Sequence, residues 1–247
     1  MTLPTQPVVN DETTMRPELL RALIYALPGG GKTTLAGSWF PETNLILECD
    51  PGGARFLPGQ HFIHPCPTYA DFAAAVDEIE AQVAAGTCPY TTVTIDTGDS
   101  LFRTADNEAG ERHGKVAAGL ADFGKGTEDR DATFLRHLKR LLATPLGVLL
   151  LAHPDITTIK LKDSEISSYE PRVVRKSKND IRQEIVGLFD YQFFIRKDDH
   201  VLITGGDPLV ATKRRLPLPD QMPADAGTLY QALIEGAKTI AAAPAAA

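Results

Sequence analysis

RALIYALPGGGKTT, residues 21–34, joins an apolar run to three consecutive glycines and a Lys-Thr-Thr triplet. The first seven residues read as a buried strand, and LAGSWF (35–40) opens a helix that Pro41 stops. Strand, glycine loop and helix in that order let backbone N–H donors converge at a helix start with no side chains in the way. The phosphate chain of a nucleotide is the anion such a loop wraps. In this pattern Lys32 reaches the β and γ phosphates and Thr33 places its hydroxyl on Mg²⁺, while Pro28, Gly29, Gly30, Gly31 and Thr34 complete the cradle. The strict form G-x-x-x-x-G-K-[ST] asks for glycine at position 26, where this chain carries Ala26.

Further along, LILEC (45–49) reads as a second strand that ends in the turn Asp50-Pro51-Gly52-Gly53. Phe72, Val76, Ile79 and Val83 recur at helical steps and lead into the strand TTVTI (91–95), which ends on Asp96. Phe134, Leu135, Leu138, Leu141 and Leu142 mark another helix, followed by the buried strand GVLLLA (147–152) and His153. Alternation of this kind predicts an α/β fold: a mainly parallel twisted sheet with helices on both faces and ligands at the carboxyl ends of the strands. YQFFIR, HVLITGG and PLVATK are expected as shorter strands extending the sheet in a more antiparallel sense, and residues 228–237 as a closing helix. Residues 1–18 and 239–247 are expected as tails around a single domain spanning 19–238.

Asp50, Asp96 and His153 all fall at strand ends. Asp96 is the candidate magnesium-orienting carboxylate, with helix capping as its alternative. Hydrolysis also needs a group that orients the attacking water, and a carboxylate at the end of a strand beside the phosphate-loop strand suits that role. Glu48 and Asp50 share one face of their strand; Asp50 lies further toward the phosphates and is preferred, while a plain Asp-Pro-Gly-Gly turn explains it equally well. His153 either senses the γ phosphate or simply ends its strand before Pro154.

Composition narrows the class. The 247 residues carry 32 Asp and Glu against 25 Lys and Arg, so attraction to nucleic acid has to come from local basic segments. Three widely spaced cysteines, Cys49, Cys66 and Cys88, form neither a full set of disulfides nor a zinc pattern. The amino terminus lacks a charged n-region and apolar h-region, and a cytoplasmic protein with no membrane partner is expected.

With these residues placed, the chain resembles the RecA-like phage recombination ATPases, AAA-family P-loop proteins associated with single-strand annealing. The likeness runs from about Leu20 to about Gly236 through YALPGGGKTT, LILECDPGG, TTVTIDTGDSL, DFGKG, LLLAHPD and ATKRR. It implies ATP and Mg²⁺ as cofactors and a RecA-like P-loop NTPase fold. It further implies a homo-oligomer that binds single-stranded DNA in the bacterial host cytoplasm, with a single-strand-binding protein as a candidate partner. By the same resemblance Lys32, Asp50, Asp96 and His153 are catalytic, and Lys213, Arg214 and Arg215 reach a neighbouring subunit's nucleotide; a solvated basic turn before Pro217 is the alternative.

The segment 154–182 holds seven basic residues against five acidic ones, with Tyr169 available to stack on a base. Charge alone describes a solvated loop equally well; the resemblance assigns Lys160, Lys162, Arg172, Arg175, Lys176 and Lys178 to DNA. Lys115 and Lys125 are a second, weaker candidate contact. Two other functions fit a P-loop chain: a nucleotide switch or loader acting on a DNA-processing partner, and a small-molecule kinase, for which no lid pattern is evident.

Overall fold

The structure, a computed structural model, describes residues 15–121, 124–160, 165–173 and 181–242. Its centre is an eight-stranded sheet. From β1 (Arg21–Ala26) the order runs on one side through β5 (Gly147–Ala152), β4 (Thr92–Asp96) and β2 (Asn44–Glu48) to β3 (Phe62–Pro65), all parallel. On the other side β8 (Tyr191–Arg196) is parallel to β1, and β9 (Val201–Ile203) and β10 (Gln221–Pro223) follow antiparallel.

The central strands are apolar at successive positions because both their faces are covered. Leu23, Tyr25, Val148 and Leu150 pack with Phe72, Leu101, Phe134 and Ile185. Those four come from α2 (Tyr69–Ala85), α3 (Gly98–Arg112), α4 (Lys125–Ala143) and α5 (Arg182–Leu188). The alternate residues Ala22, Ile24, Leu149 and Leu151 pack with Leu35 of α1 (Lys32–Ser38) and with Leu229 and Leu233 of α6 (Ala226–Ala241). Local signals agree with this layering: Thr68 and Asp71 form a reciprocal capping box at the start of α2, and Gly86 ends that helix at φ 68°.

The α/β class and the mainly parallel sheet with antiparallel strands at its carboxy-terminal end are as the sequence predicts. Several details differ. β2 is not beside the phosphate-loop strand, since β5 and β4 lie between them. YQFFIR forms β8 in parallel with β1, so the antiparallel part begins only at β9. PLVATK forms isolated bridges, Tyr169 with Val210 and Gln192 with Lys213, in place of a strand.

The polar stretch after His153 begins as a hairpin, β6 (Pro154–Lys160) paired with β7 (Glu165–Pro171), where a loop was expected. At both ends the packed chain exceeds the expected domain limits: Pro17–Leu19 forms a short turn against the amino edge of the sheet, where Glu18 O accepts from Thr92, and α6 runs through Ala241.

Candidate functional site

Parallel pairing brings the end of β1, Asp96 at the end of β4 and His153 just past β5 to the same edge of the sheet. The loop after Ala26 turns through Gly29 at φ 75° and Gly31 at φ 92°, backbone values that suit glycine, before α1 begins at Lys32. Gly30 is required for a different reason. A Cβ there would lie 2.8 Å from the Cβ of Ala26 and 3.0 Å from the Leu27 carbonyl oxygen. Ala26 occupies room that the strict motif leaves open, and glycine at position 30 accommodates it.

Lys32 is buried at 6% exposure, and its Nζ donates to the Ala26 carbonyl at 3.0 Å. Burial lowers its pKa, against the opposing fields of Asp96, Asp99 and Asp50. The Thr33 hydroxyl donates to Asp96 Oδ2 at 2.9 Å. Burial raises the Asp96 carboxyl, opposed by that hydrogen bond and by Lys32. Lysine, hydroxyl and carboxylate are therefore held together beneath the glycine loop.

A hydroxyl and a carboxylate are hard oxygen donors of the kind Mg²⁺ takes together with phosphate oxygens and water. The backbone leaves space beside them: a Cβ on Gly53 would come within 3.4 Å of Asp96 Oδ2 and 3.6 Å of Thr33 Oγ1. The residues thus fit Mg²⁺, which Thr33 and Asp96 would hold. Among the described residues no group of three His, Cys, Asp or Glu side chains is placed to bind a metal.

The two candidate water-orienting carboxylates differ in their engagement. Glu48 is buried and its Oε1 accepts from the Gly52 N–H at 3.1 Å, which ties it to the turn. Asp50 is half-buried, makes no side-chain hydrogen bond among the described residues, and lies near enough to act on both Lys32 and Asp96.

Asp99 is the residue that sequence reasoning missed. It lies in the first turn of α3 and accepts from His153 Nδ1 at 2.9 Å, from the His153 backbone N–H at 3.3 Å and from Arg172 at 3.3 Å. Burial pushes its carboxyl up, but the His153 bonds outweigh this and hold it at about 2. An ionised carboxylate can only accept, so His153 carries its proton on Nδ1 and leaves Nε2 for another partner. The signal was an acidic residue three positions after Asp96, at a helix start that the sequence pattern did not reveal.

His153 and Arg172 are also the two feet of the β6–β7 hairpin, joined by an Arg172 N–H to His153 carbonyl bond of 2.7 Å. One carboxylate beside the phosphate loop therefore grips both strands of the hairpin. Just above, Arg182 pairs with Glu170 at 2.9 Å and Asp155 at 3.6 Å, bridging two acids that stand opposite each other across the hairpin.

Other candidates are placed differently. Tyr169 stacks on Phe194 with ring centroids 5.2 Å apart, which engages one face of a ring expected to meet a base. Lys160 lies exposed at the far end of β6, and Arg172 is tied to Asp99; Lys162, Arg175, Lys176 and Lys178 lie outside the described residues. Lys115 and Lys125 are exposed near the facing ends of α3 and α4.

The three candidate trans-acting residues are drawn into contacts elsewhere in their own chain. Lys213 donates to the carbonyls of Val186, Gly187 and Phe189 at the end of α5. Arg214 pairs with Asp220, and Arg215 pairs with Asp190, whose N–H bonds to Arg21 at the amino edge of the sheet. These anchors hold the group away from its own chain's phosphate loop, toward the opposite edge of the sheet.

The protein family described as AAA domain matches residues 18–216, a span that takes in the phosphate loop, Asp96, Asp99, His153 and the hairpin. The chain belongs to the AAA domain family. This AAA domain is an ATP-binding P-loop domain, and α6 follows the matched span. No curated protein matches the chain at a significant level. One solved structure, described as "Structural and biochemical analysis of a prototypical ATPase from the type III secretion system of pathogenic bacteria", is similar at 14% identity and a TM-score of 0.46. The match covers 87% of this AAA domain chain and 66% of that protein's length. Among the described residues no helix is long and apolar enough to cross a membrane.

Proposed function

We propose that this AAA domain is a magnesium-dependent ATPase of DNA recombination, which binds single-stranded DNA in the cytoplasm as a homo-oligomer and promotes annealing or strand exchange. The observation that carries the reading is the Asp99 junction, where one carboxylate beside the phosphate loop holds His153 and Arg172 at the feet of a protruding hairpin.

In this account Lys32 leaves the Ala26 carbonyl for the β and γ phosphates, and Thr33 and Asp96 hold Mg²⁺. When bound, the ion neutralises charge on the phosphate oxygens. Asp50, unencumbered by the turn that occupies Glu48, orients the attacking water. His153, fixed in one tautomer by Asp99, presents Nε2 to the nucleotide, so a change there pulls on the hairpin root. Lys160, exposed at the far end of β6, and Lys162, Arg175, Lys176 and Lys178, close to the hairpin in sequence, supply phosphate contacts to a strand of DNA.

A second reading has one observation in its favour. Phe56, 88% exposed, follows Gly53 by three residues, with Phe62 and Ile63 exposed on the edge strand β3. A nucleotide switch that presents these apolar residues to a protein partner would use the same phosphate site. Fluorescence anisotropy with labelled single-stranded DNA at low and moderate salt, with and without ATP, separates the two. Binding that weakens with salt and responds to ATP supports the recombination reading, and no binding at low salt contradicts it.

A further inference from the structure

Among the described residues the charges around the phosphate loop do not balance for a nucleotide. Glu48, Asp50 and Asp96 lie at the ends of β2 and β4, and Lys32 is the one buried cation described beside them. Asp99 is already matched by Arg172. A nucleoside triphosphate with one Mg²⁺ adds further net negative charge, so the site has room for a second cation near the loop glycines.

The turn between β8 and β9 places one there. β8 is the hydrogen-bonded neighbour of β1, so its carboxyl end emerges next to the start of the glycine loop. Lys197, the first residue after β8, brings its Nζ to 3.5 Å from the point where a Gly29 Cβ would stand. His200, at the end of the turn, brings Nδ1 to 3.6 Å from the corresponding point on Gly31. Both are exposed, and neither side chain makes a hydrogen bond or ion pair among the described residues.

The turn itself is held in this position. Arg196 forks onto Asp199, Nη2 to Oδ2 at 2.7 Å and Nε to Oδ1 at 2.9 Å, and the His200 carbonyl accepts from Ala224 at 2.9 Å, with His200 in the left-handed region at φ 52°. Non-glycine residues adopt that conformation infrequently, and here it faces His200 toward the glycines. Arg196, Asp198 and Asp199 surround Lys197 on the turn without taking its ammonium as a partner.

We infer that Lys197 is a second phosphate-binding cation of the nucleotide site, acting from within the same chain, with His200 as a hydrogen-bonding partner beside it. The inference rests on the P-loop reading and adds the β8–β9 turn to it. In this arrangement the nucleotide is gripped between the loop glycines and a turn from the adjoining strand, and Lys197 selects for ligands that carry phosphates.

The test is titration of a fluorescent ATP analogue and a fluorescent ADP analogue, with Mg²⁺, against the full chain and its K197Q, K197R, H200A and K32A variants. K197Q is expected to weaken the ATP analogue about tenfold, a charge-assisted contact, with K197R restoring most of the loss and H200A giving a smaller one. Wild-type affinity in K197Q together with lost binding in K32A overturns the Lys197 assignment and leaves the P-loop reading intact. Wild-type affinity in both variants overturns the P-loop reading and the inference with it.

Discussion

Thr33 Oγ1 donates to Asp96 Oδ2 across 2.9 Å, which links the first turn of α1 to the end of a strand two places from β1 in the sheet. The contact keeps the two magnesium-holding groups together before a nucleotide arrives. Burial of the Asp96 carboxyl raises it above the ordinary range, against the opposing pull of this hydrogen bond and of Lys32.

A group whose folded pKa is raised contributes its stability below its unfolded pKa and loses it as pH rises through the folded value, so at neutral pH the Asp96 charge opposes folding. Asp96→Asn is therefore expected to match or exceed the wild type in thermal midpoint without nucleotide. Turnover is expected to fall on the order of a hundredfold or more. A variant that unfolds earlier and keeps its turnover would contradict this assignment.

Gly53 has ordinary helical backbone angles, φ −65° and ψ −50°, so a side chain there is tolerated by the backbone itself. The space it would enter is the one beside Asp96 and Thr33. Gly53→Val is expected to leave the fold intact by circular dichroism while raising the Mg²⁺ concentration needed for half-maximal turnover several-fold. An unchanged Mg²⁺ requirement would mean that the metal is held elsewhere.

The Ala26 and Gly30 pair makes a compensation prediction. Gly30→Ala drives a methyl into Ala26 and the Leu27 carbonyl, and is expected to cost about 1 to 3 kcal/mol with loss of nucleotide affinity. Ala26→Gly in the same chain removes the side-chain part of the clash and is expected to restore part of both. Additive losses in the double variant, read by urea unfolding, would show that the two positions do not compete for the same space.

The phosphate loop, Asp96 and the alternating α/β order were legible because each rests on contiguous residues: an apolar strand, a glycine run and a carboxylate at a strand end. Strand order was not legible. Nothing in LILEC records that β4 and β5 stand between it and β1, so the expected adjacency of this strand to the phosphate-loop strand fails for Glu48 and Asp50 alike, while Asp50 remains the less encumbered of the two. α3 was hidden because Asp99, Arg103, Asp106, Glu108 and Glu111 interrupt the Leu101, Phe102, Ala105 and Ala109 stripe that faces the core. Asp99 disappeared with it. Lys197 and His200 sit in a polar turn whose meaning comes only from the neighbouring strand, and the Lys213 to Arg215 group is drawn to carbonyls and acids that no local pattern identifies.

Asp99 predicts a pH dependence. Its folded pKa of about 2 lies below the ordinary 3.8, so its stabilisation is present above the unfolded value and is lost as pH falls toward the folded one. With its side chain 15% exposed, the contribution at neutral pH is about 2 kcal/mol. Asp99→Asn is expected to lower stability by about that amount at pH 7, with the gap to wild type narrowing below about pH 4. Denaturant midpoints across that range read the difference directly, and a gap that stays constant with pH would argue against an ionised Asp99 at the hairpin root.

The most direct test of the whole account is steady-state ATP hydrolysis with and without single-stranded DNA at low salt, using Lys32→Ala to subtract contaminating activity. Mg²⁺-dependent turnover is expected to rise with single-stranded DNA, to be absent in Lys32→Ala, and to lose its DNA response in Asp99→Asn. Turnover that depends on Lys32 yet is indifferent to DNA in the wild type would contradict the coupling of the phosphate site to the hairpin.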